Sequence, residues 1–209
     1  MMLIPMWLSL SVHEWAHAWS AYQLGDDTAA REGRLTLNPM SHIDPIGTIL
    51  LPLFGIPFGW AKPVPVNPVR FDRKWSMRTG MAITAFAGPF SNLVLAFLCS
   101  VILIVLFRVA PEMRTLDNGA TYLLFIAVQL NVGLAIFNML PLPPLDGSRL
   151  VDRYIPRHWE ATWDSIKRFG PMLLLLVLSV GGYFLSGPIN AVTGALFSMI
   201  DSFSPRPNF

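Results

Sequence analysis

Hydrophobic positions in this chain come in long blocks, neither the alternation of half-buried strands nor the one-sided stripes of soluble helices. Residues 81–107, 119–141 and 171–200 contain no Asp, Glu, Lys or Arg. Each is longer than the roughly 20 residues a helix needs to cross about 30 Å of hydrocarbon. A fourth block, residues 2–24, is of similar length and is interrupted by His13, Glu14 and His17. The pattern predicts an α-helical polytopic membrane protein, one domain over residues 1–209. It has about four transmembrane helices near 2–24, 81–107, 119–141 and 171–200. Glycines at 181, 182 and 187 with Pro188 predict a bend or break in the last of them.

Between the first two spans the pattern changes character. Gly25-Asp26-Asp27-Thr28 is a turn cluster that ends the first helix, and Pro39 and Pro45 punctuate the loop that follows. Residues 46–58 are uncharged, too short to cross, and broken by Pro52, Gly55 and Pro57, which predicts a re-entrant or interfacial segment. Trp60 to Val69 alternates valines with prolines, which excludes a helix or a central strand and fits an edge strand or hairpin, or a plain structured loop. An exposed edge of that kind can hold an extended peptide by main-chain hydrogen bonds. A re-entrant, β-hairpin-like segment is therefore expected between the first and second spans.

Composition agrees with a bilayer environment. Of 209 residues, 53% are hydrophobic and 13% charged, against about 25% charged in ordinary soluble domains. A net charge of +2 points to no nucleic acid partner. The single Cys99 excludes an internal disulfide and a cysteine zinc site, and its apolar neighbours mark it as a packing residue. Lys and Arg set the expected orientation: seven lie in residues 25–80, five in 142–170, and Arg108, Arg114 and Arg206 make up the rest. That bias predicts cytoplasmic loops at 25–80 and 142–170 with both termini outside. The first block lacks a basic leader and a small-residue cleavage site, so it is not expected to be removed as a signal peptide. Its outer arm is short, which leaves room for a missing upstream piece.

The chemistry gathers on a few polar residues in these apolar surroundings. His13 and His17, four apart, project from one face of a helix at a spacing that lets two imidazoles share one zinc ion. Glu14 beside the first is placed as a general base toward water at such an ion, so the trio reads as a metallohydrolase centre. Ionisable side chains at membrane depth are costly, and they persist where they have partners and a role. Catalytic zinc takes three protein ligands. Asp146 is the best third candidate, presented after a span by the Pro141, Pro143, Pro144 run, with Gly147 supplying an unusual dihedral angle; its other reading is a helix N-cap. His42 and Asp44 are further candidates, more simply explained as residues that tie their loop down. Asn92 follows Gly88 and Pro89 at about the depth of His13. Its amide could cap the metal site, bind substrate backbone, or join two helices.

Taken in order, His13-Glu14-x-x-His17, Ala87-Gly88-Pro89-x-x-Asn92 and Asn138-x-x-Pro141 leading to Leu145-Asp146-Gly147 resemble the site-2 protease family of intramembrane zinc metalloproteases. The likeness covers roughly residues 1 to 170, including the Gly33–Pro45 loop and the Trp60–Pro68 segment. It implies one zinc ion held by His13, His17 and Asp146, Glu14 as general base, and Asn138 binding substrate or polarising its carbonyl, with Asn92 and Pro141 also on the substrate side. It implies as partners the lipid bilayer and the transmembrane helix of a substrate protein, cut near the cytosolic face in regulated intramembrane proteolysis. Many bacterial members carry a PDZ or CBS domain, and this sequence has neither. The competing reading is a metal-binding membrane protein without hydrolysis, a transporter or an inactive relative, in which Glu14 has no evident role.

Overall fold

The computed structural model describes residues 3–50, 53–54 and 60–204, and among these the regular structure is helical throughout, with no strand. Helix α1, Leu3–Gln23, carries the histidine pair, and α2 is a single turn, Thr28–Arg31. Helix α3, Met77–Val109, begins at Ser76, whose hydroxyl accepts the Thr79 N–H. Helix α4, Gly119–Asn138, begins at Asn118, whose side-chain oxygen accepts from Ala120 and Thr121. Short helices α5, Asp146–Asp152, and α6, Glu160–Arg168, lead to α7, Gly170–Phe203. Of the bend or break expected in the last span, the break does not occur: α7 runs through Pro188 as one helix of 34 residues.

Among the described residues, three segments are long and apolar enough to cross a membrane: Met77–Val109, Gly119–Asn138 and Gly181–Phe203 within α7. Helix α1 has the length at 21 residues but is more polar than these. Its polar side chains are turned inward: Ser9, Ser11, His13, His17 and Ser20 are all buried, while Ile4, Leu8, Trp19 and Tyr22 are exposed. This is the arrangement expected of a helix whose polar stripe meets protein and whose apolar face meets lipid.

Helix α3 is the centre of the bundle. Its buried stripe, Gly80, Ala85, Gly88, Asn92, Ala96, Cys99 and Leu103, is made mostly of small residues at helical spacing, so neighbouring backbones come close. Helix α1 runs antiparallel to it: Ser9 and His13 meet Asn92, His17 meets Thr84, and Ala21 and Leu24 share a cluster with Phe71, Met81 and Ile83. At the other end of α3, Cys99 and Leu103 pack with Val128 of α4 and Ile200 of α7, and Phe125 stacks on Phe197 with ring centres 4.3 Å apart. Arg114 pairs with Asp201 to close that end. Helix α6 ties α5 to α3, through the Arg78–Glu160 ion pair and through Lys167, 2.7 Å from Asp152.

The segment expected as an edge strand is extended over residues 60–67 but pairs with no strand among the described residues. Pro63, Pro65 and Pro68 lack the N–H groups a ladder needs, and several of the other main-chain groups are held by side chains and a loop. Thr48 donates its hydroxyl to Trp60 O at 2.7 Å, Lys62 N–H bonds His42 O at 2.9 Å, and Arg34 reaches the carbonyls of Lys62 and Pro63. Val64 N–H donates to the Glu14 carboxylate at 3.0 Å and Asn67 N–H to that of Asp26 at 2.6 Å. Of the segment expected to re-enter the membrane, residues 46–50 lie in a π-helical turn, Pro45–Leu50, whose start is held by Asp44. Residues 51, 52 and 55–58 lie outside the described residues.

Leu103, 1% exposed among Cys99, Val128 and Ile200, tests the bundle. Leu103→Ala is expected to destabilise the fold by about 2–5 kcal/mol through the cavity it leaves, while Val101→Ala on the exposed face changes little. Thermal unfolding of both variants in detergent measures the contrast.

Candidate metal centre

The centre is built by one turn of α1 meeting the first residue of α5. His13 and His17 bring their Nε2 atoms within 3.0 Å of each other, with ring planes 87° apart. The Asp146 carboxylate oxygen Oδ2 lies 3.2 Å from the first Nε2 and 3.3 Å from the second. Both histidines are buried and Asp146 is nearly so. His42 and Asp44 are elsewhere: His42 bonds Thr36 O at 2.8 Å, and Asp44 caps the Pro45–Leu50 turn. Among the described residues, His13, His17 and Asp146 form the one group of three or more side chains close enough to share an ion.

Backbone approach makes this convergence feasible. A methyl group on Gly88 would lie 2.4 Å from His17 Nε2 and 2.7 Å from His13 Cε1, so the rings occupy the space of the missing side chain. Gly147 serves the same end for Asp146, since a Cβ there would lie 2.3 Å from the carbonyl oxygens of both Met139 and Leu140. The unusual dihedral angle expected at Gly147 is absent, because the positive-φ residues are Gly25 and Gly33. What that position requires is close contact with the end of α4. Asp146 is also not the N-cap of α5: Leu145 occupies that place, and the carboxylate turns to the imidazoles.

The other nitrogen of each ring decides what the inner one offers. His17 Nδ1 lies 2.7 Å from Thr84 O, a carbonyl that only accepts, so Nδ1 carries a proton and, in the neutral ring, Nε2 presents a lone pair. His13 Nδ1 lies 2.6 Å from Asn92 Oδ1, which gives the same result. When both rings are neutral, two lone pairs and a carboxylate face one point, an arrangement that a divalent cation satisfies. Ligand atoms of a tetrahedral zinc ion bound at about 2.0–2.2 Å lie roughly 3.3 Å apart, close to the spacing here. A set of two imidazoles and a carboxylate suits zinc.

Glu14 is half-buried on the neighbouring face of α1, its carboxylate accepting the Val64 N–H of the extended segment. Asn92 is 0% exposed and fully engaged, accepting from His13 and donating to Asn131 Oδ1 at 2.8 Å and Ser9 O at 3.3 Å. Asn138 donates back to Leu134 O at 3.0 Å near the end of α4, and Pro141 is exposed in the link to α5. Ser9, Thr84 and Asn131, which stand directly behind the histidines, had no motif to mark them. Their sole sequence signal was polarity inside apolar blocks.

Because the imidazoles fill the space over Gly88, Gly88→Ala is expected to push them apart and weaken zinc binding by at least tenfold. Competition with a chromogenic chelator measures this, and Gly133→Ala, where a Cβ meets nothing within 4 Å, is the control that keeps wild-type affinity.

A model of peptidase family M50 matches residues 106–178, which include Asn138 and Asp146. Putative zinc metalloprotease YwhC of Bacillus subtilis is 40% identical over 208 residues, covering 98% of this chain and 93% of that protein. Putative zinc metalloprotease Rip2 of Mycolicibacterium smegmatis is 31% identical over 180 residues, covering 85% of this chain and 66% of its own. The protein of the same name from Mycobacterium tuberculosis is 31% identical over 188 residues, covering 88% and 70%. No solved structure matches the chain. With the likeness to YwhC running through nearly all of both proteins, this chain belongs to peptidase family M50, the site-2 protease family whose motifs it carries.

Proposed function

We propose that this protein is an intramembrane zinc metalloendopeptidase that hydrolyses peptide bonds in or near the transmembrane helices of other membrane proteins. The observation that carries the reading is the meeting of His13, His17 and Asp146 within 3.3 Å of one another, with Glu14 on the adjacent face of the same helix. The three would hold zinc. When bound there, zinc supplies a Lewis acid that makes a water acidic near neutral pH and polarises the scissile carbonyl.

Glu14 takes the proton from the attacking water and passes it to the amide nitrogen as the C–N bond breaks, which leaves a new carboxylate and a free amine. Val64 N–H holds the Glu14 carboxylate toward the extended segment. A substrate helix buries its carbonyls in its own hydrogen bonds, so it must unwind locally before attack. The extended run at residues 60–67 lies beside Glu14 and is where the unwound stretch would rest. Asn138 and Pro141, on the approach to Asp146, would contact substrate. Asn92, buried and committed to His13, would position that ligand without touching substrate.

The lysine and arginine bias supports a placement in the cell membrane with the loops at 25–80 and 142–170 on the cytoplasmic side and both termini outside. Helix α1 would be the fourth span, its apolar face in lipid. The loop after α2 lies along α1 from Trp7, whose indole donates to Thr48 O at 3.1 Å, down to Asp26, which holds Asn67. From Trp7 to Gln23 that helix rises about 24 Å, which supports a loop that enters the membrane beside it and brings water to the centre.

Cleavage of a model transmembrane substrate by the purified chain in detergent tests the reading. Wild type is expected to cut and to stop when a chelator removes its zinc. Glu14→Gln is expected to keep zinc and lose about 10²–10⁴ in rate, and Asp146→Ala to lose zinc and activity together. Equal cleavage by wild type and Glu14→Gln would overturn the reading, as would a zinc-loaded wild type that cuts no helix in a broad panel.

A further inference from the structure

Behind His13 stands a chain of neutral side chains that reaches across three helices. Asn92 of α3 and Asn131 of α4 are both 0% exposed, and Ser9 of α1 is 1% exposed. Asn131 Nδ2 donates to Ala127 O at 2.8 Å and to Ser9 Oγ at 2.9 Å. Its Oδ1 then faces Asn92 Nδ2 at 2.8 Å, whose second hydrogen goes to Ser9 O at 3.3 Å. That leaves Asn92 Oδ1 toward His13 Nδ1 at 2.6 Å.

The direction of this chain is not free. Ala127 O and Ser9 O are main-chain carbonyls, which accept and never donate. Turning Asn131 over would set its oxygen 2.8 Å from Ala127 O, and turning Asn92 over would set its oxygen against both Ser9 O and Asn131 Oδ1. Between side chains this deeply buried, such acceptor pairs repel and are costly. Each amide therefore has one orientation, and the last of them presents an oxygen to His13.

We infer that Asn92 and Asn131 are positioning residues that fix which ring nitrogen of His13 carries its proton, with the carbonyls of Ala127 and Ser9 setting the direction. His13 is held with its proton on Nδ1 and its lone pair on Nε2, pointing at His17 and Asp146. His17 reaches the same state by a shorter route, through Thr84 O. An imidazole with the opposite tautomer would aim an N–H at the ion. Partners of this kind on the far nitrogen typically change metal affinity by 10–100-fold. Here they are carboxamides, so they orient the ligand without adding a second charge to a buried site. The effect on zinc presupposes the centre proposed above, whereas the tautomer belongs to the protein with or without the ion.

Two readouts on the full chain separate those levels. The first is ¹⁵N NMR of the imidazoles in zinc-free protein, at a pH where they are neutral, with His13 assigned by substitution. Wild type is expected to show His13 protonated on Nδ1, Asn92→Leu a mixture, and Asn131→Leu a smaller shift the same way. Asn92→Asp breaks the bonds to Asn131 and Ser9 but still offers His13 an acceptor, so it is expected to keep the Nδ1–H form. The second readout is the zinc dissociation constant by chelator competition, with thermal unfolding on the same samples. Asn92→Leu is expected to weaken zinc by 10–100-fold, Asn92→Asp by less than threefold, and the Asn92→Leu, Asn131→Leu double variant no more than Asn92→Leu alone.

The inference falls if His13 keeps its Nδ1–H form in Asn92→Leu, if Asn92→Asp is as damaging as Asn92→Leu, or if the two leucine substitutions weaken zinc additively. A wild type that binds no zinc would sink the metalloprotease reading, and the NMR result would still decide the relay. Should Asn92→Leu fail to fold, Asn131→Leu carries the same test at the next link.

Discussion

Three electron-pair donors, Nε2 of His13 and of His17 and a carboxylate oxygen of Asp146, crowd one point in the interior of this protein. Two imidazole lone pairs 3.0 Å apart repel, and the Asp146 oxygen beside them adds a formal charge. Without a cation the group would cost free energy in a medium that hydrates it poorly. With one it becomes a binding site whose strength comes from that same frustration. Much of the architecture can be understood as the means of keeping these donors close together and suitably oriented.

Close approach comes from small residues. Gly88 lets the rings of α1 lie against α3, and Gly147 lets α5 start against the last carbonyls of α4. The stripe of Ala and Gly along α3 does the same for the bundle as a whole, because helices in lipid associate by packing rather than by escape from water. Orientation comes from hydrogen bonds to the outer ring nitrogens, directly from Thr84 and through carboxamides from Asn92. Helix α6 completes the frame, since its ion pairs to α3 and α5 hold the helix that presents Asp146.

The extended segment shows how the same constraint shapes an irregular region. Prolines at 63, 65 and 68 prevent it from building a ladder, yet its main-chain groups are distributed among Thr48, His42, Arg34, Glu14 and Asp26. Irregular backbone beside a membrane helix is tolerated when protein satisfies it. One of those bonds falls on Glu14, so the segment also holds the carboxylate next to His13.

The long helices of the bundle were legible from the chain alone, because apolar blocks of membrane length leave few other ways to satisfy a backbone. So was the pairing of His13 with His17, since four residues make about one helical turn, and Asp146 stood out as an acid held on a rigid, proline-bounded link. From the sequence the histidine-bearing helix is one more apolar span; only the packed structure shows that its serines and histidines turn inward. Alternation at residues 60–69 suggested a strand, but a strand needs a partner edge, and pairing is decided by the fold. At Gly147 the sequence suggests a dihedral role, whereas the fold requires space beneath Met139 and Leu140. The relay through Asn92, Asn131 and Ser9 joins residues up to 122 positions apart. Periodicity and spacing report on contacts within one helix, so they determined the elements and the ligand pair; which polar side chains meet across helices, and therefore which way each imidazole faces, was decided only when three helices packed together.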